Sequence, residues 1–272
     1  MSGKDREDEQ PSGWHAPSLW EGDPPPLARK LPDGTLQPRN PHFYVVGPGS
    51  TLKSPGYSLN TDYFGGGSLT IDGGTLELWG TNGCVVFPEL VLSRGAIQFG
   101  TAADWRSVMI RGRVLVRGSF NIGLDDRKIE GFGAIFLDAD LQSVDGSHLR
   151  VGLGDESSLH LGGDNRGFRS AWTLSSGTVV AESAHSLGPS AVHLRSKARL
   201  EIRNPQKIQI LQLDTSGMHI VLGADVEVMR GRANARDELP RGEFTAEQAN
   251  AAFGFEEPPF SGTGIIRVLE EG

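Results

Sequence analysis

From about Phe43 onward the chain is written in short apolar alternations interrupted by Gly, Asn, Asp and Ser. Residues 69–78, Leu-Thr-Ile-Asp-Gly-Gly-Thr-Leu-Glu-Leu, set apolar side chains two apart on either side of a glycine pair. Side chains two apart share one face of a pleat, so the pattern predicts a strand, a turn and a second strand. The unit recurs at 90–99, 114–122, 172–180 and, with a less regular turn, at 192–202 and 211–220. Neighbouring copies begin roughly 20 to 24 residues apart, as at Leu69, Leu90 and Val114, which is the period of a solenoid rung. Antiparallel hairpins would require many two-residue turns. The Asp-Gly and Asn-Gly pairs that favour them are confined to Asp33-Gly34, Asp72-Gly73, Asp145-Gly146 and Asn82-Gly83.

The fold expected is therefore all-β, a right-handed parallel β-helix in which each rung bends at glycine and stacks its apolar interior on the rung before. That interior is expected to hold Leu69, Ile71, Leu76, Leu78, Leu90, Leu92, Ile97, Phe99, Leu159, Leu161, Leu174, Val179, Val192, Leu194, Leu200 and Ile202. Such a column leaves a sheet edge open at each end, and each edge needs a cap. Residues 1–42 are charged, then rich in proline, and predict an extended arm without a packed core that could close one end. Trp14 and Trp20 give this arm aromatic groups with which to dock on the body. Residues 43–272 would form the β-helix. Near the C-terminus Thr245 and Gln248 make a capping box, Phe244 can staple onto Ala249, and Gly254 can end a helix through Glu247–Phe253. A last strand is expected in 261–269.

Composition narrows the function classes. Gly makes up 37 of 272 residues, about twice the usual share of about 7%, which suits a turn-rich solenoid. A formal net charge of −8 and the lack of a basic stripe argue against a nucleic-acid partner. No apolar run approaches the roughly 18 residues of a membrane span, and the opening MSGKDREDEQ lacks the apolar core of a signal peptide. A single cysteine, Cys84, excludes an internal disulfide, and its neighbours Val85, Val86 and Phe87 predict a small buried hydrophobe.

Several segments resemble a known family. Gly162-Gly163-Asp164-Asn165-Arg166-Gly167-Phe168, the strand Trp172 to Val180, Ala184 to Gly188 and Ala198 to Ile202 are similar to the passenger-associated repeat of autotransporter-type bacterial surface proteins. The stretches Leu239 to Phe253 and Phe260 to Gly264 look like the closing segment of large secreted proteins built from autotransporter-associated β-strand repeats. Tyr44 to Val46 with Gly65 to Leu76 resembles their opening rung. The resemblance implies a parallel β-helix at or outside the cell surface and implies no chemistry.

The densest polar cluster is Asp125-Asp126-Arg127-Lys128, which in a polysaccharide lyase could supply carboxylates for Ca²⁺ and a base beside a uronate. The plainer reading is a solvated loop between rungs. Asp138 and Asp140 alternate along a strand, share a face and are the weak candidates for a cation; Asp145 follows. Two carboxylates fall well short of the about six to eight oxygens that Ca²⁺ takes. His15, His42, His148, His160, His185, His193 and His219 show no metal-ligand spacing, and His160, His193 and His219 read as outward strand positions. No Gly-x-Ser-x-Gly elbow occurs, so the motifs support no hydrolase triad. The expectation is a non-enzymatic structural or binding module of a secreted or surface assembly, without cofactor, presenting a rigid face to protein or polysaccharide. The alternative is a lyase acting on acidic polysaccharide with Ca²⁺.

Overall fold

In the computed structural model, residues 20–21, 25, 29–30, 36–37, 41–54, 61–79, 83–99, 106–123, 133–195, 197–214, 217–233, 237–253 and 257–269 are described. The strand-glycine-strand units stack in parallel as the rungs of a β-solenoid. Its strands fall into three columns, one for each face. The first face stacks 43–46, 68–71, 90–92, 114–116 and 141–143. The second runs through 51–53, 75–78, 95–98, 119–123, 148–152, 171–174, 191–194, 210–213 and 230–233. The third runs through 61–63, 83–87, 106–111, 133–138, 158–161, 177–181, 198–202, 219–222 and 260–262. A single continuous strand, Gly83–Phe99, crosses all three faces within one rung, with its register shifted at Phe87/Leu90.

Period-two alternation decides which side chains enter the shaft. Every residue named above as interior is buried. Corners fall where the chain can take a positive φ and where the rung below leaves no room for a side chain. Gly112 has φ +105°, and a Cβ there would run into the carbonyl oxygen of Phe87. Where Leu90, Leu92, Ile97 and Val114 enclose the shaft, the void measures ≈ 10 Å³, about the least that admits one water.

The first face does not run unbroken. Its ladder stops after 141–143 and resumes as 206–208, 226–228 and 266–268. In the gap the chain turns, and buried Asn165, Ser186 and Gln206 stand in for strand hydrogen bonds. Asn165 Oδ1 accepts from the amide of Leu141 at 3.1 Å, and Gln206 Oε1 accepts from the amide of Leu187 at 3.1 Å. Trp172 fills the adjoining interior, 4.9 Å from the Phe168 ring, with its indole N–H donating to the Leu187 carbonyl at 3.0 Å.

Both ends are built differently from the shaft. At the N-terminal end an aromatic column runs from Trp20 to Tyr44, Phe64 and Phe87, at ring separations of 5.0, 5.5 and 5.7 Å. Trp20 thus packs on the first rung, while Trp14 lies outside the described residues. The arm is not uniformly extended: Arg29–Lys30 pairs antiparallel with Leu36–Gln37, on either side of the Asp33-Gly34 hairpin signal in the sequence. At the C-terminal end Gly242–Phe244 pairs antiparallel with Ile266–Val268 and breaks the parallel repeat. Lys207, Glu227, Arg267 and Glu243 follow one another in register with alternating charge, at 2.8, 3.6 and 2.8 Å. The helix Ala246–Phe253 begins at the capping box: Gln248 N–H donates to Thr245 Oγ1 at 3.3 Å and Thr245 N–H to Gln248 Oε1 at 2.9 Å. Gly254 lies outside the described residues.

Candidate functional site

Of the clusters singled out from sequence, Asp125, Asp126, Arg127 and Lys128 lie outside the described residues. Asp138 and Asp140 do share an exposed face. Each already has a protein donor: Arg111 Nε at 3.0 Å from Asp138, and Gln142 Nε2 at 3.0 Å from Asp140. Among the described residues no group of three His, Cys, Asp or Glu is placed to hold a metal ion.

Chemistry gathers instead on the outer surface of the third face. Its register aligns Thr61, Cys84, Met109, Phe136, His160, Val180, Glu201, Val221 and Ser261 in one outward column. Cys84 is thereby a correction to the sequence reading. It is half-buried and points outward, because Val85 and Phe87 take the inward positions of the strand. Burial pushes its thiol up, away from the reactive thiolate.

His160 occupies the centre of this column. Its Nδ1 lies 2.7 Å from Glu182 Oε1 on the next rung, and its Nε2 lies 2.9 Å from Ser158 Oγ on the same strand. Phe136, one rung back, stacks on the imidazole at 4.5 Å and 25°. The imidazole side chain is 16% exposed and Glu182 31%. Glu182 also accepts from Arg203 at 2.8 Å, and Arg203 and Arg199 both donate to Glu201, at 3.1 and 2.9 Å. Burial alone would raise the Glu201 carboxyl; the two guanidinium donors outweigh it and hold the group below the usual carboxylate range. The sequence marked His160 as an outward position but did not connect it to Ser158 and Glu182.

The second face carries a different array. Asn121, Arg150, Thr173, His193, Gln212 and Arg232 stand in register on successive rungs. Beside them runs a low strip of Ala171, Ala191 and Ile210. His148 shares a 2.7 Å hydrogen bond with Thr173 Oγ1. Burial lowers the His148 imidazole, and Arg150, His193 and Arg195 lower it further. Burial likewise lowers His193, with Asp214 opposing and Arg195 adding to the effect. Of the cations here, Arg195 faces Asp214 at 3.5 Å and Arg232 faces Glu238 at 2.8 Å, whereas exposed Arg150 has no carboxylate among the described residues. Arg150 therefore stands on this face as a cation uncompensated among the described residues.

No protein family, curated protein or solved structure matches this chain. The β-solenoid shape alone does not identify a passenger-type surface protein.

Proposed function

We propose that the chain is a rigid structural and binding module that engages an elongated anionic partner, an acidic polysaccharide, along its second face. The observation that carries this reading is the register of Asn121, Arg150, Thr173, His193, Gln212 and Arg232, which repeats polar side chains along the axis at the spacing of parallel strands, about 4.8 Å. A polymer laid along such a ladder meets exposed Asn121 and Arg150 and the half-buried His193, Gln212 and Arg232, with Thr173 buried between them and held by His148, while the strip of Ala171, Ala191 and Ile210 runs alongside. The filled shaft favours recognition on the outside. Exposed Arg150, which has no carboxylate among the described residues, supplies the sign selectivity, whereas Arg195 and Arg232 are paired with Asp214 and Glu238. The likeness of residues 162–168 and 198–202 to the passenger-associated repeat supports a setting at or outside the cell surface.

The test is retention of the purified chain on polygalacturonate, with dextran as the neutral control, at low and raised salt. Salt-sensitive retention on the acidic polymer alone, weakened by Arg150→Glu, is the expected result. Equal retention on both polymers, or none on either, overturns the reading.

A further inference from the structure

The Ser158, His160 and Glu182 arrangement goes beyond binding. An ionised carboxylate only accepts hydrogen bonds, so Glu182 fixes the proton of neutral His160 on Nδ1. The lone pair of Nε2 then faces Ser158 Oγ at 2.9 Å and must accept its O–H. Both separations lie within the reach of about 2.6–3.2 Å that couples a nucleophile to its base and the base to its orienting group. The ring plane is fixed from a third direction by the stacked Phe136. In a ladder that merely filled the surface, a histidine could satisfy its two nitrogens with any donor or acceptor. Here the partners are a hydroxyl on one side and a carboxylate on the other, in the order that activates a serine.

We propose that Ser158 is an activated nucleophile for carboxylic esters, with His160 as its general base and Glu182 as the positioning residue that sets the imidazole tautomer. Ser158 Oγ bonds to the ester carbonyl carbon while its proton passes to His160 Nε2. The tetrahedral species collapses with cleavage of the ester C–O bond, and the alkoxide leaves with that proton. Water, deprotonated by the same nitrogen, then releases the acid and restores Ser158. Thr178 stands in register with Ser158 on the next rung, and its hydroxyl has no hydrogen bond to the described residues. As the register neighbour of Ser158, it is the hydroxyl assigned in this proposal to donate to the developing oxyanion. Position on an open face, rather than in a pocket, suits an ester carried as a substituent on a long polymer.

The experiment uses the full chain and an alkyl fluorophosphonate, with which Ser158 Oγ would form a P–O bond as fluoride leaves and His160 takes the proton. Intact mass and peptide mapping locate the adduct. A single adduct on Ser158 is expected, abolished by Ser158→Ala and formed about a hundredfold more slowly in His160→Ala. Because His160→Ala removes a stacked ring, the same reaction is run on the wild-type chain in urea, where an activated serine loses its reactivity. No adduct, an adduct elsewhere, or a rate indifferent to His160 and to unfolding overturns the proposal.

Discussion

Asn165 Nδ2 donates to the carbonyl of Ser186 at 2.5 Å while its Oδ1 accepts from Leu141 N–H, so one fully buried amide ties together three successive rungs. It does so where the first face has no strand. Replacing Asn165 with Ala leaves a buried amide and a buried carbonyl without this partner, at about 1–3 kcal/mol each. The expected outcome is a clear fall in the urea midpoint, whereas Asp164→Ala, which removes an exposed ion pair with Arg166, moves it little.

Gly112 and Gly217 separate two costs that corners impose. Both have positive φ, +105° and +82°, but a Cβ at Gly217 meets nothing within 4 Å, whereas one at Gly112 collides with the Phe87 carbonyl of the preceding rung. Gly217→Ala is expected to cost only the left-handed penalty of about 1–2 kcal/mol. Gly112→Ala must also push two rungs apart and is expected to cost several times more. Thermal unfolding of the two variants measures the difference, and equal losses would show that stacking at that corner is loose.

The parts legible in the sequence are those governed by local period and local capping. Leu69, Ile71, Leu76 and Leu78 announce their inward parity because polar or glycine residues separate them, and Thr245 with Gln248 announces the helix start. Cys84 is the exception: Val85, Val86 and Phe87 are apolar on both parities, so local pattern does not say which side faces in. Asn165 reads as an ordinary turn residue; only the stacking of rungs shows it buried between strands. The link from His160 to Glu182 depends on the length of one whole rung, since residues 22 apart in sequence become neighbours only when that turn closes at Gly162, Gly163 and Gly177.

Asn250 governs the C-terminal end. Its Nδ2 donates to the Phe260 carbonyl and its Oδ1 accepts from the Phe260 amide, both at 2.9 Å, so the side chain imitates a strand on the outer edge of Phe260–Gly262. Phe253 stacks on Phe260 at 5.8 Å and holds the helix in place. An uncovered strand edge pairs with another chain. Asn250→Ala is therefore expected to raise self-association more than it lowers the unfolding midpoint, as read by light scattering at increasing protein concentration. A variant that scatters no more than the wild-type chain would show that the helix blocks the edge without this residue.

The outward histidines give stability a pH dependence whose sign follows from their shifts. Burial holds His148, His193 and His219 below the ordinary imidazole value; Arg199 lowers His219 further while Glu201 opposes it. The unfolded chain therefore takes up protons first as pH falls through about 6.5, while the folded rungs still resist. Over that interval the unfolded state binds more protons, so stability rises with pH and is lost on acidification. The loss continues down to the lowered folded values. Depressed carboxylates such as Glu201 and Glu227 act only further down, from the ordinary carboxylate value to their lowered folded values, and so leave the histidine window distinct. The urea midpoint is expected to fall between pH 7.5 and pH 5.5, and the fall to shrink in a His148→Gln, His193→Gln double variant. A midpoint that stays level across this interval in the wild-type chain would mean that the second-face imidazoles are solvated well enough to charge without strain.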